Sequence, residues 1–462
     1  MERMTVKDVV QATGGRLLCG DGDTVLKHIS IDSRNMQGQD LFVPLVGEKV
    51  DAHRFIKQAF LTGAAAVLTS EHDAMEDEHP WIRVEDTKKA LQAVGSWYRE
   101  QLSLPLVGIT GSVGKTTTRE MIAAALSAGY RVYKTPGNSN SQVGVPITLS
   151  EITSKDEIGV LELGMSMPGE LTVIAQIARV DMAVITNVGI THIEQLGSQE
   201  NIYREKLTIQ DGLKDGGILF LNGDDPMLRE TKAREGCRTV YYGTGTNSDY
   251  RAEDVRIENG YPMFTAVHGD TRIPVHLHVM GRHNVLNAMV ALAVADACQV
   301  PLEKAAEKLG TFGGFRNRQQ ICDCGGVTVI DDTYNASPVS MKAGLEVLQS
   351  MKQAKRKIAV LADMKELGPG APDYHREIGT WLGEHPVDVL FTLGDLALEI
   401  EEGAKISGGS RQCFHFQAED REGLYQALKS ELQCGDCVLL KGSNSMKLGE
   451  VAERLIHPAA ES

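Results

Sequence analysis

What this 462-residue chain lacks is informative first. No apolar run approaches the ~18 residues of a membrane-crossing helix, so insertion in a bilayer is not expected. The opening MERMTVKDVV is too charged, and too short in apolar run, for a secretory signal. Basic residues are in deficit, 47 against 62 acidic, for a formal charge of −15. That argues against a nucleic-acid surface, which needs a basic face, but leaves room for a small anionic substrate held by a local cluster. Cysteines are few and scattered. Cys434 and Cys437 have the spacing of a metal or redox pair, and Cys322 and Cys324 lie apart from them. No histidine cluster accompanies either pair, so free thiols and a cytoplasmic location are expected.

What is present begins with PLVGITGSVGKTTT, residues 105–118. Leu106, Val107 and Ile109 read as a buried strand, and Gly111 and Gly114 follow at once. The general phosphate-loop pattern places another glycine five residues before Gly114, where Ile109 stands, so the match is to the shorter TGxxGKTT form. Backbone amides of Gly111, Ser112, Val113 and Gly114 can close around phosphate, with Lys115 supplying charge and a helix start supplying dipole. Thr116 and Thr117 follow, and the hydroxyl directly after the lysine suits Mg²⁺. A regular helical pattern is legible from Arg119, with Met121, Ile122, Ala125 and Leu126 on one face. The expected ligand is a nucleoside triphosphate.

Length predicts about three domains, at roughly 150 residues each. Residues 1–103 read as a small α/β unit, with HISIDSRNMQGQDLFVPLVG as two strands around a polar turn that holds Ser33 and Arg34. Residues 104–312 read as a doubly wound, mostly parallel sheet. Within it, 131–149 is expected as a long polar loop carrying Asn138, Asn140 and Ser141. Glu162 ends a strand, where a carboxylate can reach Mg²⁺; His192 follows another, and Asn284 and Asn287 open a helix. By spacing alone Lys206 is a solvated helix lysine. Gly313 and Gly314 mark a linker, and 313–462 read as a second α/β sheet of dinucleotide-binding type without a GxGxxG fingerprint. Lys441 at the end of its last strand is a natural anion contact.

Taken in order, GITGSVGKTTT, ELGMSMPGE, TNVGITHIEQLGS, GRHNVLNAMVALAVA and DDTYNASP resemble the Mur ligases over essentially the whole chain. The resemblance implies an α/β fold of three domains and ATP-dependent amide formation through an acyl phosphate, in cytoplasmic peptidoglycan precursor synthesis. YNASP and DMKELG resemble the members that join D-alanyl-D-alanine to UDP-N-acetylmuramoyl-tripeptide. It further implies Lys115, Glu162, His192 and Lys206 as the catalytic set, with Thr116, Glu162, His192 and a carbamylated Lys206 around Mg²⁺. Asn284, Asn287, Arg318, Asp332 and Tyr334 would meet ATP, with Arg316 the other register of FRNR. Ser33, Arg34, Asn138, Asn140, Asn335, Ser337 and Lys441 would meet the other substrates. A monomer is the default. A ligase adding a single amino acid should lack YNASP. A phosphate-loop kinase or switch would leave Glu162, His192 and the whole third unit idle.

Overall fold

Four sheets, of two and five strands in the first unit, nine in the middle and six in the third, organise the computed structural model, which describes residues 4–75 and 77–457. The ends of the first and third units, 1–3 and 458–462, lie outside the described residues.

The first unit starts with a helix over Val6–Thr13. Thr5 and Asp8 cap each other's amides, and Gly14 closes the helix at φ 64°. Such a cap contributes about 1 kcal/mol. The strands His28–Ser30 and Asp40–Phe42 are neighbours, but they run parallel rather than folding back around a turn. Parallel neighbours require the connection to travel back along the strand, and residues 31–39 do so. Buried Asp40 anchors that return by accepting the amides of Gln37 and Gly38 at 2.9 and 2.7 Å.

The middle sheet has nine strands among the described residues. Seven run parallel, from the edge strand Val132–Lys134 through Ile158–Glu162, Leu106–Thr110, Met182–Ile185, Ile218–Asn222 and Arg238–Gly243 to Tyr250–Glu258. Apolar residues on both faces of these strands are wholly buried against helices, Lys115–Leu126 and Asn284–Ala297 on one side and Glu170–Ala178 on the other. Burial on both faces accounts for the continuous aliphatic runs. The last two strands, Tyr261–His268 and Thr271–His276, extend the sheet antiparallel. Reading only strand–loop–helix repeats overlooks them, although Asn259 and Gly260, both at positive φ, form a two-residue hairpin turn of the kind an Asn-Gly pair favours.

Two boundaries differ from the sequence expectation. The phosphate-loop helix begins at Lys115, four residues before Arg119, because left-handed Gly114 at φ 84° caps it. Three successive threonines are weak helix formers, but Thr116 and Thr118 are buried and hydrogen-bonded, so tertiary packing overrides propensity. Residues 131–149 are not one loop: they hold the strand Val132–Lys134 and the helix Gly144–Glu151, leaving 135–143 irregular.

The third unit's sheet orders its strands as Gln320–Cys324, Val327–Asp332, Cys437–Lys441, Lys357–Ala362, Val387–Leu393 and Ser410–Phe416. The first is antiparallel, joined to the second through Gly325 and Gly326; the others are parallel. All eight cysteines are free. Among the described residues no helix is long and apolar enough to cross a membrane.

Candidate active site

The carboxyl ends of the middle-sheet strands open into a cleft of about 1330 Å³ that the third unit's loops close from the other side. Gly111, at φ 148°, starts the turn, and a side chain there would collide with Thr186 Oγ1. The loop is held from outside by a neighbouring segment. Asn187 Oδ1 accepts the Val113 amide at 3.0 Å, and Asn187 Nδ2 and Thr186 Oγ1 donate to the Val113 carbonyl at 3.1 and 2.7 Å. The Gly189 amide donates to Ser112 Oγ at 2.8 Å. This bracing set, Thr186 to Gly189, escaped the sequence reading; its signal was the polar pair that follows an apolar strand.

Lys115 folds back so that Nζ donates to the Gly111 carbonyl at 2.8 Å. Burial holds its ammonium below the ordinary range, opposed by the pull of Glu162 and reinforced by Arg318. Thr116 Oγ1 donates to Glu162 Oε2 at 3.0 Å and accepts from Arg318 Nη2 at 2.8 Å. Glu162, 3% exposed, receives Asn140 Nδ2 on its other oxygen at 2.9 Å. Behind it lies Arg119, also buried, which donates to Glu120 at 2.7 Å, to the Gly137 carbonyl at 2.8 Å and to Glu162 at 3.4 Å. Arg119 is a second residue that periodicity could not find, because it sits mid-helix on a face that looks apolar. The result is a local group of cations, Lys115, Arg119 and Arg318, around Glu162, with Glu120 behind Arg119, in a chain of net charge −15. Such a group favours an anionic ligand.

The third unit contributes the opposite wall. The Arg318 guanidinium lies 4.0 Å from the Tyr334 ring centre, and burial pulls its pKa below the usual arginine range. Arg316 instead points outward to Glu453 at 3.3 Å, so Arg318 is the arginine that the fold brings to the loop. Lys441 Nζ, buried, donates to Asp332 at 2.7 Å and to the Asn335 carbonyl at 3.1 Å. Ser337 caps the helix Pro338–Ser350 through Ser340, so its hydroxyl already has a structural task.

Other expected residues fall near and far. Asn287 accepts from Thr118 Oγ1 at 3.0 Å and donates to Asn284 Oδ1 at 2.8 Å, which ties that helix to the phosphate loop. Asn138, Thr117 and His192 line the cleft. Ser33 and Arg34 lie in the first unit away from it; Ser33 is buried, and Arg34 forms a two-point pair with Asp32 at 2.9 and 2.8 Å. Lys206 departs from its solvated reading. It is 2% exposed, and burial, reinforced by Lys115, drives its pKa well below the ordinary lysine value. Its helix Gln199–Leu207 packs inward there, a consequence of tertiary contact that spacing does not carry.

Comparison with known proteins gives a family match along most of the chain. The Mur ligase middle domain model matches residues 109–295, the Mur ligase glutamate ligase domain 317–444, and the Mur ligase family catalytic domain 25–99. The chain belongs to the Mur ligase family. It is 38% identical over 461 residues to the UDP-N-acetylmuramoyl-tripeptide–D-alanyl-D-alanine ligase of Bacillus subtilis, covering 99% of each chain. A crystal structure of MurF from Acinetobacter baumannii superposes with a TM-score of 0.89 at 30% identity, covering 99% of each chain. MurF ligase from Thermotoga maritima in complex with ADP superposes at 0.82 with 28% identity, covering 94% of this chain and 98% of that one.

Proposed function

We infer that this chain is an ATP-dependent ligase that joins D-alanyl-D-alanine to the peptide carboxylate of UDP-N-acetylmuramoyl-tripeptide. The observation that carries the reading is the cleft itself. A phosphate loop and a buried carboxylate face the YNASP loop of the third unit across it, in a chain that matches the B. subtilis ligase end to end. ADP bound by the T. maritima relative supports the assignment of the phosphate loop to ATP.

Residues 1–103 would hold the UDP portion through Ser33 and Arg34, 104–312 the ATP, and 313–462 the incoming amine. Amides of 111–114 and Lys115 neutralise the phosphates as charge shifts in the transition state. Arg318 reaches the same region and stacks on Tyr334, which orients it. Asn284 and Asn287 border the loop, where they would meet the adenine of ATP. Asn138, Asn140, Asn335, Ser337 and Lys441 surround the space for the two peptides.

The donor set fits Mg²⁺: the Thr116 hydroxyl and Glu162 carboxylate meet at 3.0 Å, hard oxygens at the end of a strand. His192 would complete it. Burial pushes the Lys206 ammonium well below its ordinary range, toward the neutral amine that takes up CO₂ to become an anionic ligand. When bound, the cation would neutralise phosphate charge and draw the acceptor carboxylate close. The chain's own residues then exclude water from the acyl phosphate by closing the cleft. The eight free thiols agree with a reducing cytoplasm.

The test is ADP release from ATP, Mg²⁺ and UDP-N-acetylmuramoyl-tripeptide, with and without D-alanyl-D-alanine, the product being weighed by mass spectrometry. Release that depends on the dipeptide, with a product heavier by one dipeptide unit, is expected. Release that ignores the dipeptide, or addition of one amino acid, would overturn the substrate assignment.

A further inference from the structure

The short segment that carries His192 is gripped by two units of the molecule. Ile190 packs against the hydrophobic core of the third unit. The Glu194 amide donates to the Glu366 carbonyl at 3.3 Å. His192 Nδ1, buried and without a hydrogen bond of regular geometry, lies in ion-pair contact with a carboxylate oxygen of Glu366. Gly368, at φ 62°, brings its Cα so close that a side chain there would meet the Glu194 Cα at 3.4 Å.

His192 and Glu366 share another property: both have φ of 63°. For residues with a Cβ that region costs on the order of 1–2 kcal/mol, and it persists only where surroundings impose it. Two such residues meeting across a domain boundary suggest that the contact itself holds both backbones. An imidazole has two distinct nitrogens, and the partner of one decides what the other can do. With Nδ1 facing Glu366, Nε2 is the nitrogen left for a ligand in the cleft that His192 lines.

We propose that Glu366 is a positioning residue for His192. Its carboxylate, delivered by the third unit, accepts the Nδ1 proton, fixes that tautomer and turns Nε2 toward the cation of the bound nucleotide. Carboxylate–histidine pairs behind metal sites act in this way, and their loss typically costs about 10–100-fold in metal affinity or activity. Cation binding is thereby coupled to closure, because the histidine is correctly set only when the third unit is in place. The inference rests on the reading of His192 as a cation ligand.

The experiment is Mn²⁺ titration followed by electron paramagnetic resonance on the full-length protein with a non-hydrolysable ATP analogue. Wild type, Glu366→Gln, Glu366→Asp and His192→Ala would be compared, each checked for folding by circular dichroism. Glu366 is 48% exposed at its side chain, so the isosteric Gln variant is expected to fold. We expect about 10-fold or more weaker Mn²⁺ binding in Glu366→Gln, partial rescue in Glu366→Asp, and a loss at least as large in His192→Ala. Nitrogen-15 chemical shifts of His192 should report a proton on Nδ1 in wild type. Weakening by His192→Ala but not by Glu366→Gln overturns the positioning role alone. Unchanged affinity in His192→Ala overturns the ligand reading beneath it. A proton resident on Nε2 in wild type also overturns the proposal.

Discussion

Several single side chains here are held in states that water would not allow. Lys206 is buried beside Lys115, and both ammonium groups are pushed below their ordinary range. Two desolvated lysines in proximity favour conversion of one to a neutral or anionic form. The hypothesis that Lys206 carries a carbamate predicts a carbamate carbon resonance in ¹³C-bicarbonate solutions of wild type. Lys206→Arg should lack it and lose on the order of 10²-fold in turnover; an unlabelled wild type or an active arginine variant refutes the idea. Arg119 is the complementary case, a buried cation with two carboxylate partners. Removing one partner of such a group costs about 3–5 kcal/mol. Arg119→Met should therefore lower the thermal midpoint sharply, and a midpoint within a degree of wild type would contradict this account. The cysteines divide by environment as well. Cys434 is exposed, while burial pushes the Cys437 thiol up to about 12, so thiol reagents at pH 8 should label Cys434 well before Cys437. Peptide mapping after brief labelling checks the order.

The elements that matter most are short and strained. Gly111 sits at φ 148°, where a Cβ would lie 1.8 Å from Thr186 Oγ1 and 3.1 Å from the Thr186 backbone nitrogen. Gly111→Ala should abolish nucleotide binding in calorimetry while leaving the antiparallel end of the same sheet intact; retained binding would show that the loop can shift. The linker Phe312–Phe315 is the other such element. Gly314 adopts φ 98°, and a Cβ on Gly313 would meet open space. If this stretch is the hinge of closure, replacing both glycines with alanine should slow turnover several-fold, with ATP affinity unaltered; unchanged turnover removes the hinge from the mechanism. The phosphate-loop helix itself was partly legible. Its apolar face from Met121 onward shows in the pattern, but its first turn, Lys115 to Thr118, is specified by Gly114 and by buried hydroxyl contacts. Propensity scales cannot see partners that lie far away in the chain.

At the scale of the molecule, the boundary between the middle and third units is where polar groups concentrate. His283, half-buried with Nδ1 fully covered, faces Asp332 and Lys441 of the third unit. Burial lowers its pKa from 6.5 to about 4. The unfolded chain therefore binds this proton first, so folding stability is full above pH 6.5 and is lost as pH falls toward 4. Thermal midpoints measured from pH 7 to 4.5 should fall less steeply in His283→Asn than in wild type. Parallel slopes would mean that other groups govern acid sensitivity.

Much of this protein follows from the sequence alone, where information is local. The glycines, Lys115 and Thr116 stand next to one another, so their joint task as an anion cradle needs no fold to be read. Strands with two buried faces declare themselves as aliphatic runs, and a carboxylate ending such a run, Glu162, is placed by topology. Only the tertiary structure decides what depends on distant partners. It selects Arg318 over Arg316, buries Lys206, braces the phosphate loop with Thr186 and Asn187, and sets Glu366 against His192. In each case a short-range pattern is compatible with several environments. Desolvation and a partner more than a hundred residues away, or on another strand, choose among them.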